Sequence, residues 1–480
     1  MTTTTSDRVA RRSLTSARQP AAGAAAPQPA GRQSAGASPA GASPVGASSV
    51  RTPVLLRPLA SYHLLLASTL LLLALGLLMV FSASSVRSYA STGSVFSTGL
   101  KQGSFIAVGL PLMLAASQLP VRFYRAAAYP LLLVSLALLV AVLLPGVGKT
   151  VNGATSWIPL PMGFNLQPAE LAKLALAVWG ADLLVRKQKR LQECRHLLVP
   201  LLPVAGLVLV LVMLQPDFGT SVALACIVVA LLWVVGMPLR LFALLCGAGA
   251  AAAAFIAVSS PHSLERLLSF RDPFADAGDS GYQAVQGFYA LSSGGWFGLG
   301  LGASREKWAG GLPEAHTDYV FAIIGEELGL LGTLTVLVLF TVLIFSGVRI
   351  AQRSHDLFVR LATAGVTAWF ACQAIINMGA VVGLLPITGI PLPLVSFGGS
   401  AMLATLAAIG MLLSFARAEP GAAAALRARP GLLSRLRRRT VTPARQRTAA
   451  RSRPVPRTVA RAGASRSNAS AAPRRPAGRR

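Results

Sequence analysis

The chain has 480 residues, of which 54% are hydrophobic and 12% are charged, and its mean hydropathy is +0.61. This composition excludes an ordinary soluble globular protein. The formal net charge of +28 would suggest nucleic-acid binding, but +6 of it lies in residues 1–61 and +17 in residues 417–480.

Both ends of the chain are rich in Ala, Pro, Ser, Gly and Thr as well as Arg. Such segments bury too little apolar surface to fold alone, so we predict two disordered basic tails, 1–61 and 417–480. Basic tails of a membrane protein are attracted to anionic lipid headgroups. We therefore predict membrane lipids, and no nucleic acid, as their partners.

Between the tails, the apolar residues lie in blocks of about twenty, the length that crosses a hydrocarbon core of about 30 Å. The sequence predicts an all-α integral membrane protein, a polytopic bundle of about ten transmembrane helices over residues 62–416. The predicted helices are 62–84, 104–120, 124–144, 169–186, 197–215, 219–236, 239–258, 319–348, 360–388 and 398–416. We expect the first of them to be retained as a signal anchor.

The distribution of Lys and Arg supports this topology. With the N-terminus in the cytoplasm, 36 basic residues lie in the tails and inward connections and 7 in outward connections. Both tails are then cytoplasmic. The one large loop, about 259–318 between helices 7 and 8, is extracytoplasmic.

That loop contains an amphipathic stretch, Tyr282–Leu291, followed by the glycine-rich aromatic segment 294–300. Two interpretations of the aromatic residues stay open: anchoring at the depth of the lipid headgroups, and a re-entrant or substrate-facing role. Loops of this length in a compact fold are usually functional.

Charged residues inside predicted membrane helices are candidates for function, because each costs about 2.5–3.5 kcal/mol at mid-bilayer. Glu170 and Lys173 are three residues apart at the start of the fourth helix, so they share one face and can pair. The pair is either structural or places Lys173 near an anionic group of a substrate. Asp182 lies further along the same helix.

Asp217 follows Pro216 in the connection between the fifth and sixth helices, where it can cap the next helix or bind a substrate. Glu314, His316 and Asp318 gather where the long loop enters the eighth helix. Asp318 can cap that helix, or it can act as a general base toward a sugar hydroxyl at the membrane surface. At 100° per residue, at most one of the following Glu326 and Glu327 shares a face with it.

The stretch 383–400 is too dense in Pro and Gly to be a continuous helix. Non-helical backbone at membrane depth must be covered by protein or line a cavity. Together with the long loop, this stretch predicts a cleft open to the outer face, with Ser396 and Ser400 beside it.

Several spaced motifs occur in a fixed order along the chain. They are Asn152-Gly153-Ala154 with Trp157-Ile158, Gln167-Pro168 with Glu170 and Lys173, Gln215-Pro216-Asp217 with Gly219-Thr220, Pro313 to Ala322, Gly325 to Gly329, Gly383 to Gly389, and Ser396 to Ser400. These motifs, in this order, resemble the SEDS family (shape, elongation, division and sporulation), whose branches include FtsW and RodA. The resemblance covers residues 62–416.

The resemblance implies a peptidoglycan glycosyltransferase that polymerises lipid II into glycan strands at the outer face of the bacterial inner membrane. It implies that Asp318 is the general base for a sugar 4-hydroxyl, while polyprenyl pyrophosphate leaves. Arg266, Arg271, Lys173 or a divalent cation (Mg²⁺ or Mn²⁺) is the candidate to stabilise that leaving group. The substrate-binding candidates are Glu170, Lys173, Asp217, Arg266, Arg271, Glu314, His316, Ser396 and Ser400.

Two positions depart from the family pattern: Phe397 stands where the family usually has Tyr, and Ser156 where it usually has Arg. The missing Arg leaves the local anion-binding scheme open. The residues of the Ala-His-Thr-Asp and Ile-Gly-Glu-Glu segments resemble the division branch, which acts at the septum, more than the elongation branch. The Ala- and Arg-rich composition fits an actinobacterium.

The resemblance further implies a class B penicillin-binding transpeptidase as partner, with the nascent glycan strand as product. The tails are candidates for recruiting other division proteins. The alternative function is a transporter or flippase of the lipid-linked precursor, which would line a path through both leaflets with polar groups.

Overall fold

The computed structural model describes residues 59–422, apart from 152, 162–163, 189–193, 260–269, 276, 279–280 and 309. Within that range, the side chains of 194–197 and 252–259 are also outside the description. The tail predictions fall almost wholly beyond these residues, and so does the predicted site residue Arg266. The predictions made for them stay predictions.

Eleven helices and three short strands make up the described part of the chain. The helices are α1 Ala60–Thr92, α2 Ser97–Gln118, α3 Val121–Val142, α4 Pro168–Arg186, α5 Cys194–Met213, α6 Phe218–Val235, α7 Leu239–Ser259, α8 Tyr282–Gly294, α9 Val320–Arg353, α10 Leu357–Val381 and α11 Gly399–Arg417. Each of the ten predicted segments overlaps one helix. The additional helix, α8, is the amphipathic stretch of the long loop.

Seven helices (α1, α2, α3, α6, α9, α10 and α11) are long and apolar enough to cross a membrane. The described apolar parts of α5 and α7, Leu198–Met213 and Leu239–Ala251, are shorter, and α4 carries Glu170, Lys173 and Asp182 within its length. The protein is therefore a helical, multi-pass membrane protein. The total of ten spans stays a prediction.

The prediction of an all-α fold is wrong between α3 and α4. Here β1 (Lys149–Val151), β2 (Ala154–Leu160) and β3 (Phe164–Leu166) form an antiparallel sheet in the order β1-β2-β3. The first two strands contain Thr150, Val151, Thr155 and Ile158, residue types that favour strands, and Gly153 has a φ of +81° at the turn between them. The segment is also too short and polar to form a further apolar span.

The core is centred on α4, which is buried along most of its length and packs against α3, α6 and α10. Small residues at its contact positions, such as Ala169, Ala172 and Ala177, allow close helix approach. This packing explains how a helix with three buried charged residues can lie inside the bundle, since protein rather than lipid surrounds it.

A bend in α9 marks one end of the bundle. Gly329 has a φ of +68° and a ψ of −163°, so the helix axis is interrupted there. The stretch from Leu330 to Arg353 is about 36 Å long at 1.5 Å per residue, close to the thickness of the hydrocarbon core. Residues 320–328 form a short helical extension beyond the bend, and the loop that carries Asp318 leads into it.

Candidate active site around Asp318

Asp318 is held in place through its backbone. Its carbonyl oxygen accepts a hydrogen bond of 2.7 Å from Asn377 Nδ2 of α10, which also donates to the Ile390 carbonyl oxygen at 2.8 Å. One buried amide therefore connects the loop before α9 to the non-helical stretch 383–398. Asp318 is not at the N-cap position, because α9 begins at Val320 and the N-cap residue is Tyr319, whose side chain makes no capping hydrogen bond.

The Asp318 carboxylate is half-buried and faces that same stretch. Its Oδ1 accepts a hydrogen bond from Thr317 Oγ1 at 3.2 Å. A Cβ atom built on Gly389, which has a φ of +69°, would lie 3.9 Å from Oδ2. Glycine at this turn thus keeps the approach to the carboxylate open, while Gly389 itself adopts a conformation that other residues rarely take.

Glu314 forms the other side of this loop. Its backbone has a φ of +51°, its carboxylate lies 3.1 Å from Nη1 of Arg87 at the end of α1, and it accepts a 2.9 Å hydrogen bond from Thr317 Oγ1. Burial disfavours the charged carboxylate, but Arg87 and the Thr317 hydroxyl outweigh burial, so the pKa of Glu314 lies below its usual value. The Thr317 hydroxyl lies within hydrogen-bond distance of both carboxylates and donates its single proton to one of them at a time, so it joins them in one polar chain.

His316 contributes to the site mainly through packing. Its carbonyl oxygen accepts a 2.9 Å hydrogen bond from the Phe397 backbone N–H, and the two rings lie 5.5 Å apart. Burial lowers the pKa of the imidazole, Glu314 opposes that shift, and Arg87 adds to it. The structure therefore joins His316 to the 383–398 stretch through Phe397, at the position where a Tyr hydroxyl would be expected.

The two predicted serines lie in the same region, and both are buried. Ser396 Oγ accepts a 2.8 Å hydrogen bond from the Leu392 backbone N–H, and its carbonyl accepts one from Gln102 of α2. Ser396 thus stabilises the turn. Ser400 Oγ, in the first turn of α11, has no hydrogen-bond partner among the described residues.

Glu170 and Lys173 form the predicted pair. Lys173 Nζ lies 2.7 Å from Glu170 Oε1, 3.2 Å from Gln373 Oε1 and 4.9 Å from the centre of the Trp369 ring. Lys173 has an exposed fraction of 0%. Gln373 in turn donates to the Pro391 carbonyl at 2.9 Å, so the pair supports the stretch 383–398 from within the bundle.

Asp217 is a helix cap. It accepts hydrogen bonds from the Thr220 backbone N–H at 3.0 Å and the Thr220 hydroxyl at 2.8 Å, and Gln167 Nε2 donates to it at 3.0 Å. The capping interpretation is confirmed. Since Gln167 directly precedes α4, Asp217 also connects the starts of α4 and α6.

The remaining predicted charged residues are Arg271, Arg266 and Asp182. Arg271 is exposed in the long loop, and Arg266 is outside the described residues. Asp182 lies at the opposite end of α4 from Glu170 and forms a 2.6 Å ion pair with Arg186.

A second buried cluster lies beside the bend in α9. Glu327 accepts hydrogen bonds from Ser82 of α1 and lies 3.2 Å from Lys307 Nζ. Glu326 accepts from the Ser304 hydroxyl at 2.6 Å and the Arg305 backbone N–H at 2.7 Å. Both carboxylates thus hold the long loop against α9.

The side chains needed for a protein-bound metal are not gathered anywhere in the described part of the chain. No group of three or more His, Cys, Asp or Glu residues there is arranged to hold a metal ion.

Comparison with known proteins agrees with this architecture. The family model described as "Cell cycle protein", which covers FtsW, RodA and SpoVE, matches residues 62–420. The chain belongs to this family. A Mycobacterium tuberculosis protein named "Probable peptidoglycan glycosyltransferase FtsW" is 46% identical over 371 residues, covering 77% of this chain and 70% of that protein.

Other relatives extend the likeness beyond mycobacteria. A Halorhodospira halophila protein with the same name is 46% identical, covering 71% of this chain and 86% of that protein. Two solved structures share the fold and cover 74% of this chain and 97% of theirs: a peptidoglycan synthase complex (TM-score 0.62, 29% identity) and a Thermus thermophilus RodA variant (TM-score 0.55, 28% identity).

Three residues of this family member were not predicted as site residues. Arg87, Asn377 and Lys307 each bind a partner at least twenty residues away in the chain. Arg87 and Lys307 are among the few basic residues on the predicted outward side, which was the one available signal. Asn377 is an amide near the end of a membrane helix, and such a polar group needs a protein partner.

Proposed function

We propose that this protein is a peptidoglycan glycosyltransferase that polymerises lipid II for septal cell-wall synthesis. The observation that carries the proposal is the half-buried Asp318 carboxylate, fixed by Asn377 at one end of the bundle and facing the glycine-rich stretch 383–398. Relatives that are 46% identical carry the name peptidoglycan glycosyltransferase. The activity, substrate and septal role are transferred from them to this chain as a proposal.

In the proposed reaction, Asp318 accepts the proton of the 4-hydroxyl group on one lipid-linked sugar. The resulting oxygen nucleophile bonds to the anomeric carbon of the other substrate. The bond from that carbon to the pyrophosphate oxygen breaks, and polyprenyl pyrophosphate leaves with the electron pair. A positioned general base typically contributes a factor of about 10² to 10⁴ to such a step.

The leaving pyrophosphate requires positive charge, and the geometry ranks the candidates. Lys173 is fully buried and already bound to Glu170 and Gln373, so its role is internal support. Arg87 is a better candidate: its side chain is 62% exposed, and its partner Glu314 shares the Thr317 hydroxyl with Asp318. The alternatives are Arg271, which is exposed, Arg266, and a divalent cation carried by the substrate.

The distribution of charge argues against the flippase alternative. Within the described membrane helices, Lys173 is neutralised by Glu170 and Asp182 by Arg186. The polar chain of Arg87, Glu314, Thr317 and Asp318 lies at one end of the bundle. A carrier would be expected to line a path through both leaflets with polar groups.

The proposal includes the membrane arrangement. Ten helices cross the inner membrane, both tails lie in the cytoplasm, and Asp318 faces the outer side, as the distribution of Lys and Arg indicates. The proposed partner is a class B penicillin-binding transpeptidase, supported by the likeness to a solved peptidoglycan synthase complex. The proposed role of the basic tails is to bind membrane lipids and other division proteins.

The decisive experiment replaces Asp318 by Asn and measures polymerisation of purified lipid II with the transpeptidase partner present. We expect the rate to fall by at least about 10²-fold, with unchanged size-exclusion behaviour and partner binding. Asp272→Asn, an exposed position in the same loop, is the matched control and should polymerise normally. Near-normal activity of Asp318→Asn would refute the assignment of the general base.

A further inference from the structure

The segment between α8 and the Asp318 loop, residues 295–308 and here termed the aromatic loop, exposes large apolar side chains. The exposed fractions are 68% for Trp296, 81% for Phe297 and 63% for Trp308, and Leu301 is exposed as well. Exposed large apolar side chains that cluster in one segment commonly mark a surface that contacts protein or membrane. The aromatic loop is therefore a candidate contact surface.

The exposure is imposed by a rigid backbone frame. Leu299 N–H donates to the Glu326 carbonyl oxygen at 2.9 Å and Gly300 N–H to that of Glu327 at 3.0 Å. In the opposite direction, Leu330 N–H donates to the Gly295 carbonyl at 2.9 Å. The bend of α9 at Gly329 leaves backbone groups that pair with those of the aromatic loop, so backbone hydrogen bonds hold the loop against α9.

Two glycines make this close contact possible. A Cβ atom on Gly298 would lie 2.2 Å from the Glu327 carbonyl oxygen, and one on Gly329 would lie 2.4 Å from the Gly298 nitrogen. Both glycines also have positive φ angles. Since no side chain fits between the two backbones, the loop has little freedom to fold its aromatic residues inward.

Buried charge holds the far end of the loop. Lys307 Nζ lies 3.2 Å from Glu327 Oε1 and 2.6 Å from the Gly302 carbonyl oxygen, and Ser304 donates to Glu326. These charges and polar groups all turn toward α9 and α1. The aromatic side chains are left on the outer surface of the loop.

The position of the loop along α9 sets its depth. Leu331 N–H donates to the Trp296 carbonyl oxygen at 3.3 Å, and Leu330, Leu331 and Leu334 are exposed on the most apolar stretch of that helix. The stretch from Leu330 to Arg353 is about 36 Å long, so Trp296 lies at the edge of a hydrocarbon core of about 30 Å. Indole and phenyl rings of membrane proteins concentrate at this depth.

We propose that the aromatic loop inserts Trp296 and Phe297 into the boundary between headgroups and acyl chains of the leaflet on the Asp318 side. The lipid bilayer is the occupant because the exposed surface continues directly into the lipid-facing leucines of α9. Backbone groups at that depth must be satisfied by protein, and the hydrogen bonds to α9 meet that requirement.

The insertion fixes the height of the site above the membrane. The loop continues from α8, which packs on α9, and Gly287 of α8 contacts the Tyr319 ring next to Asp318. Anchoring therefore transmits a defined depth to the Asp318 loop. Under the proposed function, on which this step rests, a sugar carried on a membrane lipid therefore meets the Asp318 carboxylate at a constant height above the membrane.

The test places an environment-sensitive fluorophore at Phe297→Cys, in full-length protein whose native cysteines are replaced, reconstituted in phosphatidylglycerol–phosphatidylethanolamine vesicles. We expect a blue-shifted emission, severalfold weaker quenching by iodide than at the Asp272→Cys control, and strong quenching by lipids spin-labelled near the headgroup. Leu337→Cys, an exposed position in the middle of α9, should be quenched more by labels deep in the acyl chain.

Emission at position 297 that matches the Asp272→Cys control in protein-containing vesicles would overturn the proposal. The same holds if the blue shift arises only after the transpeptidase partner is added, because the surface would then bind a protein. None of these readouts depends on polymerisation, so they stand even if the proposed activity fails. A Trp296→Ser, Phe297→Ser variant should lose more polymerisation rate in vesicles than in detergent, and an equal loss in both would exclude the height-setting role.

Discussion

The buried pair of Glu170 and Lys173 offers the sharpest test of how the bundle tolerates charge. Glu170→Gln keeps the shape of the side chain but removes its negative charge. The Lys173 ammonium group would then lie in a fully buried site without a counter-charge, beside the amide of the new glutamine, the Gln373 oxygen and the Trp369 ring. Protein surrounds this position on α4, so water cannot readily replace the lost partner.

The magnitude follows from the cost of an uncompensated buried charge. Removing one partner of a buried ion pair typically destabilises a protein by about 3–5 kcal/mol. The double variant Glu170→Gln, Lys173→Met removes both charges while a methionine fills a similar volume, and such replacements are often close to neutral. We therefore expect the single variant to be less stable than the double variant by at least about 2 kcal/mol.

The assay is equilibrium unfolding of the purified protein in one detergent, followed by circular dichroism for wild type, both single variants and the double variant. Arg125→Gln is the matched control, because the side chains of its ion pair with Asp356 are 36% and 41% exposed and exposed pairs contribute about 0–1 kcal/mol. If the single and double variants unfold together, the two charges are not coupled, and the role assigned to α4 fails.

Three further outcomes are expected. Lys307→Met should destabilise the protein strongly, and adding Glu327→Gln should restore much of the loss in the same unfolding assay. The pKa of Glu314 is lowered, so its contact with Arg87 stabilises the fold above about pH 4.5, and this contribution disappears as the pH falls below that value. In Arg87→Gln, the free energy of unfolding should therefore decrease less as the pH is lowered through this range. Deleting 423–480 should leave polymerisation by the purified protein unchanged while changing its localisation in cells, and a loss of activity in vitro would show that this segment is part of the catalyst.

Hydrophobic block length predicted where the membrane helices lie but not where they end. The first block stops near residue 84, whereas α1 continues to Thr92 and is ended by Gly93 in a left-handed conformation. The extra turns, 85–92, are polar, so no hydropathy argument could detect them. These turns extend α1 beyond its apolar block, and the extension brings Arg87 within hydrogen-bond distance of Glu314.

Local spacing predicted the short-range parts of the site. Glu170 with Lys173, and Asp217 at the start of α6, are separated from their partners by one helical turn, so their geometry follows from helix periodicity. The small sheet at 149–166 was missed although an Asn-Gly pair signalled a hairpin. Two of its strands are only three residues long, too short to show a period-two pattern.

Contacts between distant segments lay beyond sequence reasoning, and Asp318 shows the physical reason. The same residues before α9 are compatible with a capping aspartate or a catalytic one, because both need a carboxylate at the start of a helix. The choice depends on where the helix begins, which Asn377 influences by donating to the Asp318 carbonyl oxygen as well as to the Ile390 carbonyl oxygen of the 383–398 stretch. Helix α9 starts only at Val320, and the Asp318 carboxylate lies near Gly389, 3.9 Å from the position that a Cβ atom on that glycine would take. A single amide on α10, fifty-nine positions along the chain, thus helps to determine whether the carboxylate serves the helix or the substrate.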